Sequence, residues 1–172
     1  MKDVERINEE TISKGGVLFL MYFDSHATSE EAVKNRLTEL FAKITTEKGV
    51  VYGVGTIEPA IKDVVNGKET FSTSGEIKVL TKDVRSAFRL ASAYGPVYIE
   101  VLSPEEVHVS FSELQETLND VSQVSYSLSN YIVKNTLKGD SLNLFLKNVK
   151  YREQLGEKLR KSGGKYDKTE GH

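Results

Sequence analysis

The 172-residue chain contains no cysteine, which excludes disulfides, thiolate metal sites and a cysteine nucleophile. Its three histidines, His26, His108 and His172, stand far apart, so a His-built zinc site is not expected. No apolar run approaches the roughly 18 residues of a membrane-spanning helix. The opening M-K-D-V-E-R-I-N-E-E is polar and acidic, with no signal-peptide core. A cytoplasmic protein without membrane contact is the expectation. With 38% hydrophobic and 28% charged residues, the composition is that of ordinary globular material.

A net excess of either charge is also small, −2 over the whole chain, but it is unevenly distributed. Residues 147–172 carry eight Lys or Arg against four Asp or Glu, so the net charge of −2 divides into about −6 over the first 146 residues and +4 over the rest. An acidic body argues against a broad nucleic-acid footprint, while a basic end permits salt-sensitive contact with something anionic.

What is present is organised around Val17 to Phe23, V-L-F-L-M-Y-F, with Gly15-Gly16 before it and Asp24-Ser25-His26 after it. An unbroken apolar run this short, bounded by turn residues, reads as a central strand buried on both faces. Upstream, Val4, Ile7 and Ile12 outline a short helix. Downstream, Thr28-Ser29-Glu30-Glu31 has the form of a capping box, with Thr28 as cap. The helix it opens carries Val33, Leu37, Leu40, Phe41 and Ile44 on one stripe and is closed by Lys48-Gly49.

Val50 to Ile57 reads as a second strand with Gly53 and Gly55 on one face. Two missing side chains there imply a close approach, by a packed helix or by a ligand. A connection containing Pro59 and Asn66-Gly67 leads to Thr70–Leu80, which alternates cleanly: Phe71, Thr73, Gly75, Ile77 and Val79 on one face, Ser72, Ser74, Glu76 and Lys78 on the other. Thr81 or Asp83 then caps a helix along Val84, Ala87, Phe88, Ala91 and Tyr94, which Gly95-Pro96 ends. Val97 to Leu102 is the fourth strand, with Val97, Ile99 and Val101 inward. Val107 to Val109 either extends it or pairs separately.

The order strand, helix, strand, strand, helix, strand over about residues 16–102 is the split βαβ pattern, so the expected class is α+β with a ferredoxin-like βαββαβ sheet and a C-terminal helical extension. Residues 1–110 form the α+β domain, 111–161 the extension, and 162–172, S-G-G-K-Y-D-K-T-E-G-H, a disordered tail. Ser110 and Glu113 form another capping box. From there Phe111, Leu114, Leu118, Val121, Ser125, Leu128 and Ile132 step alternately by three and four, close to a 3.5-residue period. Gly139-Asp140 breaks that helix, and Leu142, Phe145, Leu146, Val149, Leu155 and Leu159 outline another.

No catalytic constellation stands out. Asp24, Ser25 and His26, at the edge where the central strand meets the first helix, form the best local cluster for a ligand, although all three are also ordinary turn residues. As chain neighbours, Ser25 and His26 cannot face each other as nucleophile and base. Glu76, Lys78 and Glu100, bridged by Tyr98, lie opposite the inferred core, where they serve acid–base chemistry if buried and cross-strand pairing if solvated. Tyr22, Tyr52, Phe71 and Tyr98 suggest base stacking on strands, but E-T-F-S-T-S-G-E-I lacks the basic-glycine-aromatic signature of RNA-recognition strands. His108 reads as an outward side chain on a strand edge.

The candidate ligand-binding set is therefore Asp24, Ser25, His26, Gly53, Gly55, Glu76, Lys78 and Glu100. No cofactor or metal is indicated. The expected function is a non-enzymatic ligand-binding or regulatory module that works as a homo-oligomer through residues 111–137. A small-molecule enzyme using the Asp24/His26 edge is the alternative, and a basic-tail adaptor for nucleic acid or protein a third. The oligomer follows from the opening strand: two helices cover one face of a four-stranded sheet, and the apolar residues on its other face need a cover, from the long helix or from a second subunit.

Overall fold

A computed structural model describes residues 2–65 and 67–161. The expected disordered tail, 162–172, lies outside the described residues. The elements are α1 (Lys2–Ile12), β1 (Val17–Ala27), α2 (Glu30–Thr45), β2 (Val50–Ile57), β3 (Ile61–Val65), β4 (Lys68–Thr81), α3 (Val84–Tyr94), β5 (Tyr98–Ser103), α4 (Phe111–Thr136) and α5 (Asp140–Lys161). This is a mixed α+β fold with one antiparallel sheet. Its strand order is β2-β4-β1-β5, with β3 also paired to β4. The chain divides into two compact units, residues 1–122 and 123–172.

Within the first unit β1 is central, paired to β4 from Val17↔Thr81 to Ala27↔Phe71 and to β5 on its other edge. Its alternation sends Val17, Phe19, Met21 and Phe23 into the core, against Val33, Leu37, Phe41 and Ile44 of α2 and Leu90 of α3. Phe19 and Met21 are fully enclosed, and such side chains each contribute about 1.5–3 kcal/mol. Leu18, Leu20 and Tyr22 on the opposite face are only half-buried. Tyr52 shares that face and donates its hydroxyl to Asn8 Oδ1 of α1 at 2.8 Å. Thus α1 covers the end of the open face where β1 begins, and Leu80, paired with both Leu18 and Tyr52, is fully buried there.

Helix boundaries follow their caps. Ser29, one residue after the expected Thr28, takes the Ala32 amide at 3.2 Å, because its extended backbone aims the hydroxyl into the first turn. The helix ends at Thr45 with Thr46 as C-cap, ahead of Lys48-Gly49. Asp83 caps α3 by accepting from the Ser86 amide at 2.7 Å, and Gly95 closes it in the left-handed region, φ 53°. Burial pushes the Asp83 carboxyl up, but the Ser86 hydrogen bonds and Lys82 outweigh it and hold the group below its ordinary value. On α4, Ser110 and Glu113 form the expected reciprocal box: the Glu113 amide donates to Ser110 Oγ at 3.2 Å and the Ser110 amide to Glu113 Oε2 at 3.0 Å.

Three sequence expectations are corrected. The segment before Asn66-Gly67 is not merely a connection, since Ile61–Val65 pairs with Lys68–Ser72 as a hairpin. Ile99 packs against the core as expected, and Val101 shares its face, but Val97 and Val101 are not buried: they are 70% and 58% exposed, because α2 and α3 lie over β1 and β4 and do not reach those parts of the edge. Val107–Val109 forms no strand. Among the described residues no helix is long and apolar enough to cross a membrane.

Candidate functional site

The open face of the sheet gathers most of the polar candidates. Alternation and register put Asp24, His26, Glu76, Lys78 and Glu100 on the face of Tyr22, away from α2 and α3. Tyr22 stands opposite Glu76 on β4 and Tyr98 on β5. Its hydroxyl donates to Glu100 Oε2 at 3.2 Å, and its ring meets Tyr98 with centroids 5.8 Å apart at 40°. Partial burial and the neighbouring Glu100 and Glu76 carboxylates raise the Tyr22 phenol above its ordinary value.

Asp24 and His26 are not turn residues. Strand β4 is long enough to pair with β1 through Ala27, so both stay in the strand on one face. There His26 Nε2 and Asp24 Oδ2 are 2.9 Å apart, with side chains 70% and 58% exposed. The His26 carbonyl accepts from the Arg36 guanidinium at 2.7 Å. Between them Ser25 turns the other way and is buried. Ser25 therefore does not join Asp24 and His26.

Gly53 and Gly55 also lie on the other face. A Cβ on Gly55 would come within 2.4 Å of the Phe41 ring, and one on Gly53 within 2.8 Å of Thr45 Cγ2. The close approach that these glycines imply is made by α2. Phe71 likewise faces away from Tyr22, Tyr52 and Tyr98, so the four strand aromatics form no common stacking platform. His108 is exposed in the loop before α4. Among the described residues no three His, Cys, Asp or Glu side chains form a group that could hold a metal ion.

A second constellation has one local signal in the sequence, an acidic pair on α4, and none for its partner. Arg85 on α3 reaches Asp120 of α4 through Nε–Oδ2 at 2.7 Å and Nη2–Oδ1 at 3.2 Å, and its Nη1 contacts Glu116. The Arg85 hydrogen bonds hold Asp120 below the usual carboxylate range, and the two carboxylates raise the guanidinium. Glu116 and Asp120 lie one turn apart, an acidic i,i+4 pair that is unfavourable alone and needs a cation.

That anchor decides which side of α4 faces outward over residues 111–122. With Phe111 at heptad position a, Glu116 falls at f and Asp120 at c, away from the a/d seam. Along the seam Phe111 is 94% exposed, Leu118 59%, Leu128 60% and Ile132 52%. Leu114 and Val121 are exposed as well, and no residue of α4 is buried. Val124 and Tyr131, both exposed, widen the stripe at g positions. The remaining flanks at e and g within the helix are Gln115, Thr117, Ser122, Ser129 and Thr136, all uncharged.

A family model described as the MJ0538 family matches residues 19–152. No curated protein and no solved structure matches the chain.

Proposed function

The chain belongs to the MJ0538 family, and from that premise we propose that it is a non-enzymatic interaction or regulatory module that works as a homo-oligomer joined along α4. The observation that carries this reading is the a/d seam: seven positions in alternating three- and four-residue steps, six of them apolar and each of those exposed. Together with Val124 and Tyr131 they offer on the order of 800 Å² per chain, the share each partner gives to a stable interface. A 3.5-residue period suits another helix, and uncharged flanks allow that helix to be an identical copy without like-charge repulsion. The Arg85 fork supports the reading because it occupies the opposite side of α4 and leaves the seam free. As part of the same proposal, the sheet is the ferredoxin-like βαββαβ arrangement with β3 added to β4, since β5-β1-β4-β2 is its edge-to-edge order once β3 is set aside. Light scattering tests the oligomer. A dimer mass is expected, and Leu118→Glu with Leu128→Glu should reduce it to a monomer; a concentration-independent monomer mass in the unsubstituted protein sinks the reading.

A second reading is a small-molecule site, with or without turnover, on the open sheet face. It is favoured by the Asp24–His26 pair at 2.9 Å on the same face as the Tyr22–Glu100 hydrogen bond. Two exposed carboxylate-linked groups of this kind can hold a polar ligand or move a proton. Thermal-shift screening of a metabolite panel, with turnover measured on any hit, tests it. A hit whose stabilisation survives both Asp24→Asn and His26→Ala would remove this site from consideration.

A further inference from the structure

We infer that two copies of α4 pair antiparallel, an arrangement that rests on the α4 reading above and specifies its partner. The seam reads the same in both directions by size: Leu114, Leu118 and Val121 approach the middle as Ser125, Leu128 and Ile132 leave it. Packing alone therefore fits either orientation. In the antiparallel one, Leu114 meets Ile132 of the second copy, Leu118 meets Leu128, and Val121 meets Ser125. The smallest pair then falls at the centre of the helix, where two crossing helices come closest, and the overlap runs nearly its whole length.

Charge separates the two orientations. Glu113, Glu116 and Asp120 occupy the first ten residues of α4, while Lys134 lies in its last turn and Lys138 just beyond. Even after Arg85 is counted, the beginning is net negative and the end net positive. A parallel pair stacks each end on its own kind. The antiparallel pair brings the Lys134 end of one helix level with the Glu113 end of the second copy, so the opposite net charges of the two ends lie together, and it also opposes the two helix dipoles.

The absence of cysteine gives a clean background for the test. Leu114→Cys and Ile132→Cys chains, distinguished by a tag, are coexpressed and oxidised, and each is also oxidised alone. The expected result is loss of the monomer band into a mixed disulfide dimer, with no crosslink in either variant alone. Leu118→Cys with Leu128→Cys repeats the measurement should the first pair fold poorly. Crosslinking of each single variant with itself, as readily as in the mixture, overturns the orientation while leaving the dimer intact. No disulfide in any arm of a protein with dimer mass means that another surface joins the copies, which also overturns the inference. A monomer mass for the unsubstituted chain defeats the α4 reading itself.

Discussion

Arg85 on α3 grips Asp120 on α4 by two nitrogen–oxygen contacts, at 2.7 and 3.2 Å, while a third nitrogen takes Glu116. A planar fork matched to a carboxylate fixes both position and rotation of the helix it holds, which a lysine point charge cannot do. Arg85→Lys should therefore behave like Arg85→Met. In both, amide hydrogen exchange over residues 111–122 should speed up while the core of β1 stays protected. Unchanged exchange over 111–122 would show that the fork holds nothing.

The same pair predicts a pH dependence. Asp120 is held below its ordinary value first by the hydrogen bond from Arg85. A carboxylate depressed in the folded state stabilises the fold above its unfolded pKa of about 3.9, and that stabilisation is lost as pH falls through the folded value. The Tm difference between the unsubstituted protein and Arg85→Met should be steady from about pH 5 to 7 and close below about pH 4. A gap that persists into strong acid would assign the effect to packing of the arginine stem.

Tyr94 gives the opposite sign. Burial, then its 2.5 Å hydrogen bond to Glu47, pushes the phenol up to about 12. Stability from a raised phenol is complete below the unfolded pKa of about 10 and is lost as pH rises through the folded value. Ultraviolet titration should show a late tyrosine phase near pH 12 that Tyr94→Phe removes. At neutral pH the same substitution should cost about 0.5–1.5 kcal/mol, the net value of one hydrogen bond. An unaltered late phase would assign it to another tyrosine.

Asp24→Asn and His26→Ala should each leave stability within about 0.5 kcal/mol, since an exposed ion pair contributes little. Gly55→Ala should cost about 1–3 kcal/mol by overpacking against Phe41. Urea denaturation midpoints compare the three. A larger loss at His26 than at Gly55 would reverse the roles given to the two faces of the sheet.

The elements whose partners lie within their own segment were legible. The apolar run of β1, the alternation in β4, the stripe of α2, the Ser110–Glu113 box and Gly95 are signals contained within a few residues, although the run suggested burial on both faces of β1 and only one is fully buried. Strand β3 was hidden because Lys62 and Asp63 interrupt its apolar residues just after Pro59, and only pairing with β4 reveals it. Val97 and Val101 look inward by period, but their cover depends on where α2 and α3 come to rest. Asp24 and His26 resemble a turn because polar residues follow an apolar run, whereas the length of β4 keeps them in the strand. Of the candidate site, the shared face of Glu76, Lys78 and Glu100 was readable from alternation. The Arg85 fork was not, because Arg85 lies more than 30 residues of chain from both Glu116 and Asp120, and the acidic pair on α4 was its only advance signal.

The ring of Phe41 lies over two glycines at once, within 2.4 Å of a Cβ built on Gly55 and 3.1 Å of one built on Gly75. Positions 41, 55 and 75 are thus one steric unit drawn from a helix and two strands, and they cannot drift independently. With an aromatic ring at 41 any side chain at 55 overpacks against it, whereas a small residue at 41 leaves room for one. Substitutions at these positions are therefore coupled, and two that are each harmful alone, Phe41→Ala and Gly55→Val, should partly rescue each other.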